Sequence, residues 1–437
     1  MRNLTLTTTA FVLVTSQVFA APPAAPAAVS AKPPLVVTRA TDTEVVRAKA
    51  HTFRPATLVD ATSEDRKEGP SLFPVRVARP VPVKPHLNVA KFGESMHAAL
   101  KDKVRGYALG LRKNGQPILT LQWDWSRSPS QGSKGWNLDT KEHIASVSKL
   151  ITAIAAVKML DERNLSFDTK IGNYIPAYWN EGKNANDLTF RKLLTHQAAF
   201  TVYGGDFLSF KQQIEMGVST NPADGIGYTN GSFSLIRVLA ATMTGAVPRN
   251  KTWAFPGLAP SLNANLNNAM WDASSTEAFL TYVQNKVFTP SGVSGVSPKS
   301  NDGSALAYSG KNDGQGWDSG DVTSQVGGAG FRMSVNQVLD VMGTFRRKGT
   351  IVSPAKAQEA LDARLGIDQV IDTPLGKIYN KNGRWQNGSG PNDDAEQSVA
   401  YFLQEDMEVV LLVNSWIGAE QASVRGSVKD AYLANIE

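Results

Sequence analysis

The chain has 437 residues, 42% of them apolar and 19% charged, which allows a sizeable core and excludes both a mini-scaffold and a wholly disordered chain. Its 45 Lys and Arg against 39 Asp and Glu leave a formal charge of +6 with no long basic run, so nucleic acid is not an expected partner. The absence of cysteine excludes thiol catalysis, disulfides and thiolate zinc sites, and the five histidines include no His-x-x-x-His pair that would support a metal centre.

In chain order, residues 1–20 carry Arg2, an apolar stretch through Phe11, Val12, Leu13 and Val14, and a small-residue exit at Ala20. This pattern predicts a secretory signal peptide cleaved near Ala20/Ala21, and hence a periplasmic or secreted protein; no later segment has the length of a transmembrane anchor. Residues 21–88 form a Pro-rich extension, whose first part reads as an extended spacer. Whether the rest is spacer, packing strands or a partner site stays open. A regular domain is expected over residues 89–437. Strands are predicted at 107–111 and 117–125 around the hairpin signal Asn114-Gly115. Residues 147–160 are apolar on nearly every face and predict a centrally buried helix. Helical patterns follow at 188–195, 233–243 and 276–287, and a Gly-rich turn at Gly327, Gly328 and Gly330 leads to a helix capped by Ser334. Strands at 376–381, 397–403 and 408–414 and a last helix from about Ala419 close the chain. Strands at both ends and helices between them predict one sheet with an inserted helical lobe. The aromatic and Asn-rich stretch 247–275, with Trp253, Phe255 and Trp271, reads as a long loop that either lines a groove or packs on its own rings.

With cysteine absent, serine is the abundant nucleophile, and it needs a base. Gly-x-Ser-x-Gly does not occur, which argues against an α/β-hydrolase. Ser146-Val147-Ser148-Lys149 opens the buried helix, and its i,i+3 spacing puts the Lys149 amine beside the Ser146 hydroxyl, at a helix end that favours developing negative charge. The alternative reading of Ser146 is a simple N-cap. Ser353-Pro354-Ala355-Lys356 shares the spacing, but Ser followed by Pro is an ordinary helix start. Tyr228-Thr229-Asn230 falls in a turn ahead of a helix, and Lys381-Asn382-Gly383 closes a strand, although Asn-Gly is also a turn signal.

Ser-x-x-Lys, Tyr-x-Asn and Lys-x-Gly in this order, with Leu194-Thr195-His196 and Gly327-Gly328-Ala329-Gly330 between them, resemble the serine β-lactamase and penicillin-binding-protein superfamily, in particular its class C β-lactamase-like branch. The likeness spans roughly residues 90–437. It implies an α/β (α+β) fold of the β-lactamase/transpeptidase type: an antiparallel sheet flanked by helices, plus an all-helical lobe. It implies a serine hydrolase in which Ser146 is acylated, Lys149 and Tyr228 move the protons, Asn230 holds substrate or Lys149, and Lys381 and Gly383 bind substrate. The backbone N–H groups of Ser146 and Arg384 would form the oxyanion hole, and no cofactor or metal is needed. The expected partner is a small molecule or peptide bearing a carboxylate, of D-amino-acid or cell-wall type, which leaves cell-wall association open. A true β-lactamase, a carboxylesterase and a non-catalytic peptidoglycan- or protein-binding homologue remain alternatives. Gln197-Ala198-Ala199 stands where the family commonly has Thr-Ser-Gly, and Pro290-Ser291-Gly292-Val293 where it has Pro-Leu-Gly-Met. Tyr178-Trp179-Asn180, Ser261-Leu262-Asn263, Ser334-Val335-Asn336 and Lys113-Asn114-Gly115 repeat single motifs out of context. His143 and His196 are not assigned as bases.

Overall fold

The computed structural model describes residues 32–39, 84–311, 314–388, 393–417 and 423–437. The expected signal peptide and most of the Pro-rich extension therefore lie outside the described residues. The part of the extension that is described contributes β1 (Val36–Arg39). The domain opens with α1 (Val89–Leu100), β2 (Gly106–Lys113) and β3 (Gln116–Arg127), followed by the short strands β4 (Lys134–Gly135) and β5 (Glu142–His143). Helices α2 (Ser148–Asp161), α3 (Phe190–Leu194), α4 (Phe207–Met216), α5 (Asn230–Met243) and α6 (Pro260–Val283) make the lobe. After β6 (Arg332–Met333) come α7 (Val335–Gly343), α8 (Pro354–Asp362), β7 (Gln369–Thr373), β8 (Gly376–Gln386), β9 (Ala395–Phe402), β10 (Met407–Val413) and α9 (Val424–Ala434).

The main sheet runs β1-β3-β2-β10-β9-β8-β7, with β4 on β3 and a separate β5-β6 pair; every ladder is antiparallel. β2 pairs with β10, so the first and last parts of the chain meet as the element order predicts. Successive side chains of a strand face opposite sides, and β10 shows it: Val409, Leu411 and Val413 join the core under α1 and α9 with Phe92, Met96 and Tyr432. Val410 and Leu412 face the lobe with Ile151, Ile154 and Phe233. Asn114 and Gly115 take φ of 51° and 79°, the left-handed pair of a two-residue hairpin.

Helix α2 is buried along 12 of its 14 residues, which explains its lack of a polar face. Ser334 caps α7 in a capping box with Gln337, and Ser353 caps α8 by accepting from the Lys356 N–H, so the second Ser-x-x-Lys is a helix start.

Three expectations are corrected. The stretch 247–275 is not one long loop: from Pro260 it belongs to the 24-residue α6, and Trp271 is fully buried with its indole N–H donating to the Lys251 carbonyl. Asparagines that suggested a loop instead tie the short segment before α6 onto it, Asn267 accepting from the Trp253 N–H and Asn263 from that of Phe255. Asn230 opens α5 behind the N-cap Thr229, three residues earlier than the apolar pattern indicates. The last helix starts at Val424, capped by Ser423; residues 418–422 are outside the described residues.

Candidate active site

Ser146 lies in a 3-10 turn, Ala145–Val147, that runs directly into α2 rather than in the first turn of the helix itself. Ala145 has φ of 45°, a left-handed conformation that costs a non-Gly residue on the order of 1 kcal/mol and persists only when neighbours impose it. Those neighbours are visible. The Ser398 hydroxyl donates to the Ile144 carbonyl at 2.6 Å, and the Ile144 N–H donates to the Phe331 carbonyl at 3.0 Å.

Strand β8 presses against the same turn. A Cβ on Gly383 would stand 2.5 Å from the Ile144 carbonyl oxygen and 2.7 Å from the Ser146 nitrogen. Asn382-Gly383 is thus no turn: β8 continues to Gln386, and glycine is there for close approach. Gly383→Ala should therefore lower stability by about 1–3 kcal/mol and ester turnover by about a hundredfold. Thermal melts and initial rates check this, and unchanged values for both would show that the approach is not required.

The Lys149 side chain is fully buried, and its Nζ reaches three oxygens: Ser146 Oγ at 3.0 Å, Asn230 Oδ1 at 2.6 Å and the Gly328 carbonyl at 2.8 Å. Asn230 Oδ1 and Gly328 O can only accept, so in a neutral amine the two N–H bonds point to them and the lone pair points to Ser146 Oγ. The amine is held well below its ordinary value, first by burial and next by the charge of Lys381, with Asp368 opposing. The Gly-rich turn earns its glycines here, because a Cβ on Gly327 would stand 2.9 Å from the Phe233 carbonyl oxygen; Gly327 and Gly328 present carbonyls to Thr152 and Lys149.

Tyr228 closes the circuit. Its ring lies 4.9 Å from the Nζ atoms of both Lys149 and Lys381, and Lys381 Nζ is 3.5 Å from its hydroxyl. The residue is 41% exposed, yet burial of its hydroxyl end pushes the phenol above its ordinary value, while Lys381 and a hydrogen bond with Ser146 pull it back. His196 packs on the Tyr228 ring at 4.2 Å between centroids. Burial, then Lys381 and Lys149, lower its imidazole to about 2, so it stays neutral and supports the ring.

Lys381 is 1% exposed and is not a free cation: its Nζ lies 2.5 Å from Asp368 Oδ1. Asp368 is the site residue that the motifs do not indicate. The β7–β8 register, Gln369 opposite Asn380 across the tight turn after Thr373, places it against Lys381, and Thr373-Pro374-Leu375-Gly376 is the signal from which this pairing is readable.

Ser146, Tyr228, Asn230, Asp368, Gly383, Arg384 and Arg425 line one cleft of about 820 Å³. Arg425 at the start of α9 donates to Asn382 Oδ1 at 3.2 Å, and Arg384 stacks on Trp416 at 4.6 Å. A second hollow of about 420 Å³, beside Trp253 and Phe255, shares no residue with it. His143 is buried against Glu396, which accepts from its backbone N–H at 3.4 Å and from Ser319 at 2.7 Å. Tyr178 bonds Asn268 in the lobe. Among the described residues no group of three His, Asp or Glu side chains could hold a metal ion, and no helix is long and apolar enough to cross a membrane.

A serine hydroxyl, a proton-poor amine and a phenol bonded into one chain beneath a sheet edge are the equipment of a serine hydrolase. Residues 88–432 match the Beta-lactamase family, and the chain belongs to it. No curated protein matches the sequence. Among solved structures, the β-lactamase/D-alanine carboxypeptidase of Pseudomonas syringae superposes with a TM-score of 0.57 at 14% identity over 80% of this chain and 99% of that one. FmtA of Staphylococcus aureus gives 0.55 at 13% identity over 82% and 93%. A D-stereospecific amidohydrolase from Streptomyces sp. gives 0.52 at 15% over 78% and 98%. At these identities the likeness is one of fold.

Proposed function

We propose that the protein is an exported hydrolase that cleaves an amide or ester of a D-amino-acid or cell-wall-type peptide through an acyl-enzyme on Ser146. The observation that carries this is the hydrogen-bonded Lys149: two of its positions are taken by fixed acceptors and the third faces Ser146 Oγ. Lys149 accepts the serine proton as Oγ bonds to the substrate carbonyl carbon, and the resulting oxyanion rests on the N–H groups of Ser146 and Arg384. When the tetrahedral adduct collapses, the C–N or C–O bond breaks and Tyr228 delivers a proton to the leaving group. Tyr228 then takes a proton from the water that attacks the acyl-serine, and as the acid leaves Lys149 returns its proton to Ser146 Oγ, which restores both groups. Asn230 holds Lys149 in place. A substrate carboxylate has two cations lining the cleft, Arg384 and Arg425, while Lys381 is enclosed against Asp368. The signal pattern of residues 1–20 supports export.

The depressed amine makes the rate pH-dependent with a definite sign. Acylation is expected to persist at neutral pH, where a lysine at its ordinary 10.5 would be protonated, and to fall as acid refills the amine. A pH profile of single-turnover acylation checks this; an acid limb near the ordinary lysine value would contradict it.

Turnover tests the substrate class. Incubation with a fluorescent penicillin, a D-alanyl depsipeptide and an activated ester should give stable labelling and depsipeptide cleavage. Rapid penicillin turnover would make the protein a β-lactamase and ester turnover alone an esterase, while inertness to all three would make it a binding homologue.

A further inference from the structure

The pairing of Lys381 has a consequence for specificity. Its ammonium is enclosed, 2.5 Å from Asp368 Oδ1 on one side and 3.5 Å from the Tyr228 hydroxyl on the other. Asp368 is itself fixed. Its second oxygen accepts the Asn382 N–H at 3.1 Å, its own N–H donates to the Asn380 carbonyl at 2.8 Å, and its carbonyl accepts from Arg364 at 3.3 Å. An incoming carboxylate at Lys381 would have to displace a carboxylate anchored by the backbone, or lie against it at like-charge distance.

We propose that Asp368 is a specificity-determining residue: by covering Lys381 it makes that lysine a positioning group for Tyr228 rather than a grip for anions, so the cleft takes substrates uncharged at that point. This rests on the acyl-enzyme reading above. A substrate carboxylate is then met further along the cleft, where Arg425 and Arg384 stand beside Asn382 and Trp416.

The test uses two thioester depsipeptides that differ only at the end nearest Lys381, one a carboxylate and the other its methyl amide. Lys381→Met should lower kcat/KM for both alike, because it acts through Tyr228. Asp368→Asn keeps an acceptor for the Asn382 N–H and uncovers Lys381, so the carboxylate-to-amide ratio of kcat/KM should rise by about tenfold. The double variant should return the ratio to the wild-type value. A wild-type preference for the carboxylate that Lys381→Met abolishes overturns the proposal, as does an Asp368→Asn variant that slows both substrates equally. Should Asp368→Asn not fold, the wild type and Lys381→Met decide alone. Parallel labelling with a fluorescent penicillin separates the two levels: a labelled protein with the wrong ratios overturns the role of Asp368 only, and a protein neither labelled nor turning over either thioester overturns the acyl-enzyme reading with it.

Discussion

Replacing Ser146 with alanine should remove covalent labelling by a fluorescent penicillin and lower kcat/KM for an activated ester by about four orders of magnitude or more. The hydroxyl is the only atom lost, and it is half-buried at the floor of the cleft rather than in the core. The turn that carries it is held by backbone, through the Ile144 carbonyl on Ser398 and the Ile144 N–H on Phe331. The variant should therefore melt within a few degrees of the wild type. Loss of activity with an unchanged melting curve is the signature of a nucleophile; residual ester turnover near the wild-type rate would assign the chemistry to another group.

Lys149→Ala is the second large effect. Removing a positioned base costs about two to four orders of magnitude in acylation rate, and stopped-flow acylation by the same ester measures it. The fold responds differently from Ser146→Ala. Asn230 Oδ1 and the Gly328 carbonyl lose their donor inside the protein, at about 1–3 kcal/mol for each group left unsatisfied. Against this, a costly buried amine disappears. The net expectation is a folded protein with a modestly lowered melting temperature and slow acylation at every pH. Acylation within a few-fold of the wild type would remove Lys149 as the base.

Much of the fold was legible because each signal had a local physical cause. Asn114-Gly115 can take two left-handed dihedrals and did. The run from Leu150 to Leu160 has no polar face and is buried at every position but Lys158. Ser146 and Lys149 are three residues apart, and any continuous helical turn brings them together. What stayed hidden depended on contacts between distant segments. The left-handed Ala145 exists because β8, Ser398 of β9 and Phe331 just ahead of β6 hold the turn, and nothing in an alanine signals this. Asn382-Gly383, placed at the end of a strand, kept a turn as its alternative because the close approach that demands glycine comes from Ile144 and Ser146, far away in sequence. The asparagines before and within α6 read as loop formers because their tertiary role, bonding Trp253 and Phe255, is invisible in a propensity. Asp368 lies between these cases: a tight hairpin sets its register against Lys381, but the ion pair matters only once Lys381 is known to stand beside Tyr228.

The acyl group is expected on Ser146 and not on its neighbour Ser148. Both fall in one tryptic fragment, the residues from Glu142 to Lys149. Ser148 is fully buried and its hydroxyl accepts from the Phe331 N–H at 3.2 Å, so it has a structural bond to keep. Fragmentation mass spectrometry of the acid-quenched complex with a slow β-lactam or an activated ester locates the adduct to a single side chain. The added mass is expected on Ser146; an adduct on Ser148, on any residue outside this fragment, or no adduct during active turnover would contradict an acyl-enzyme there.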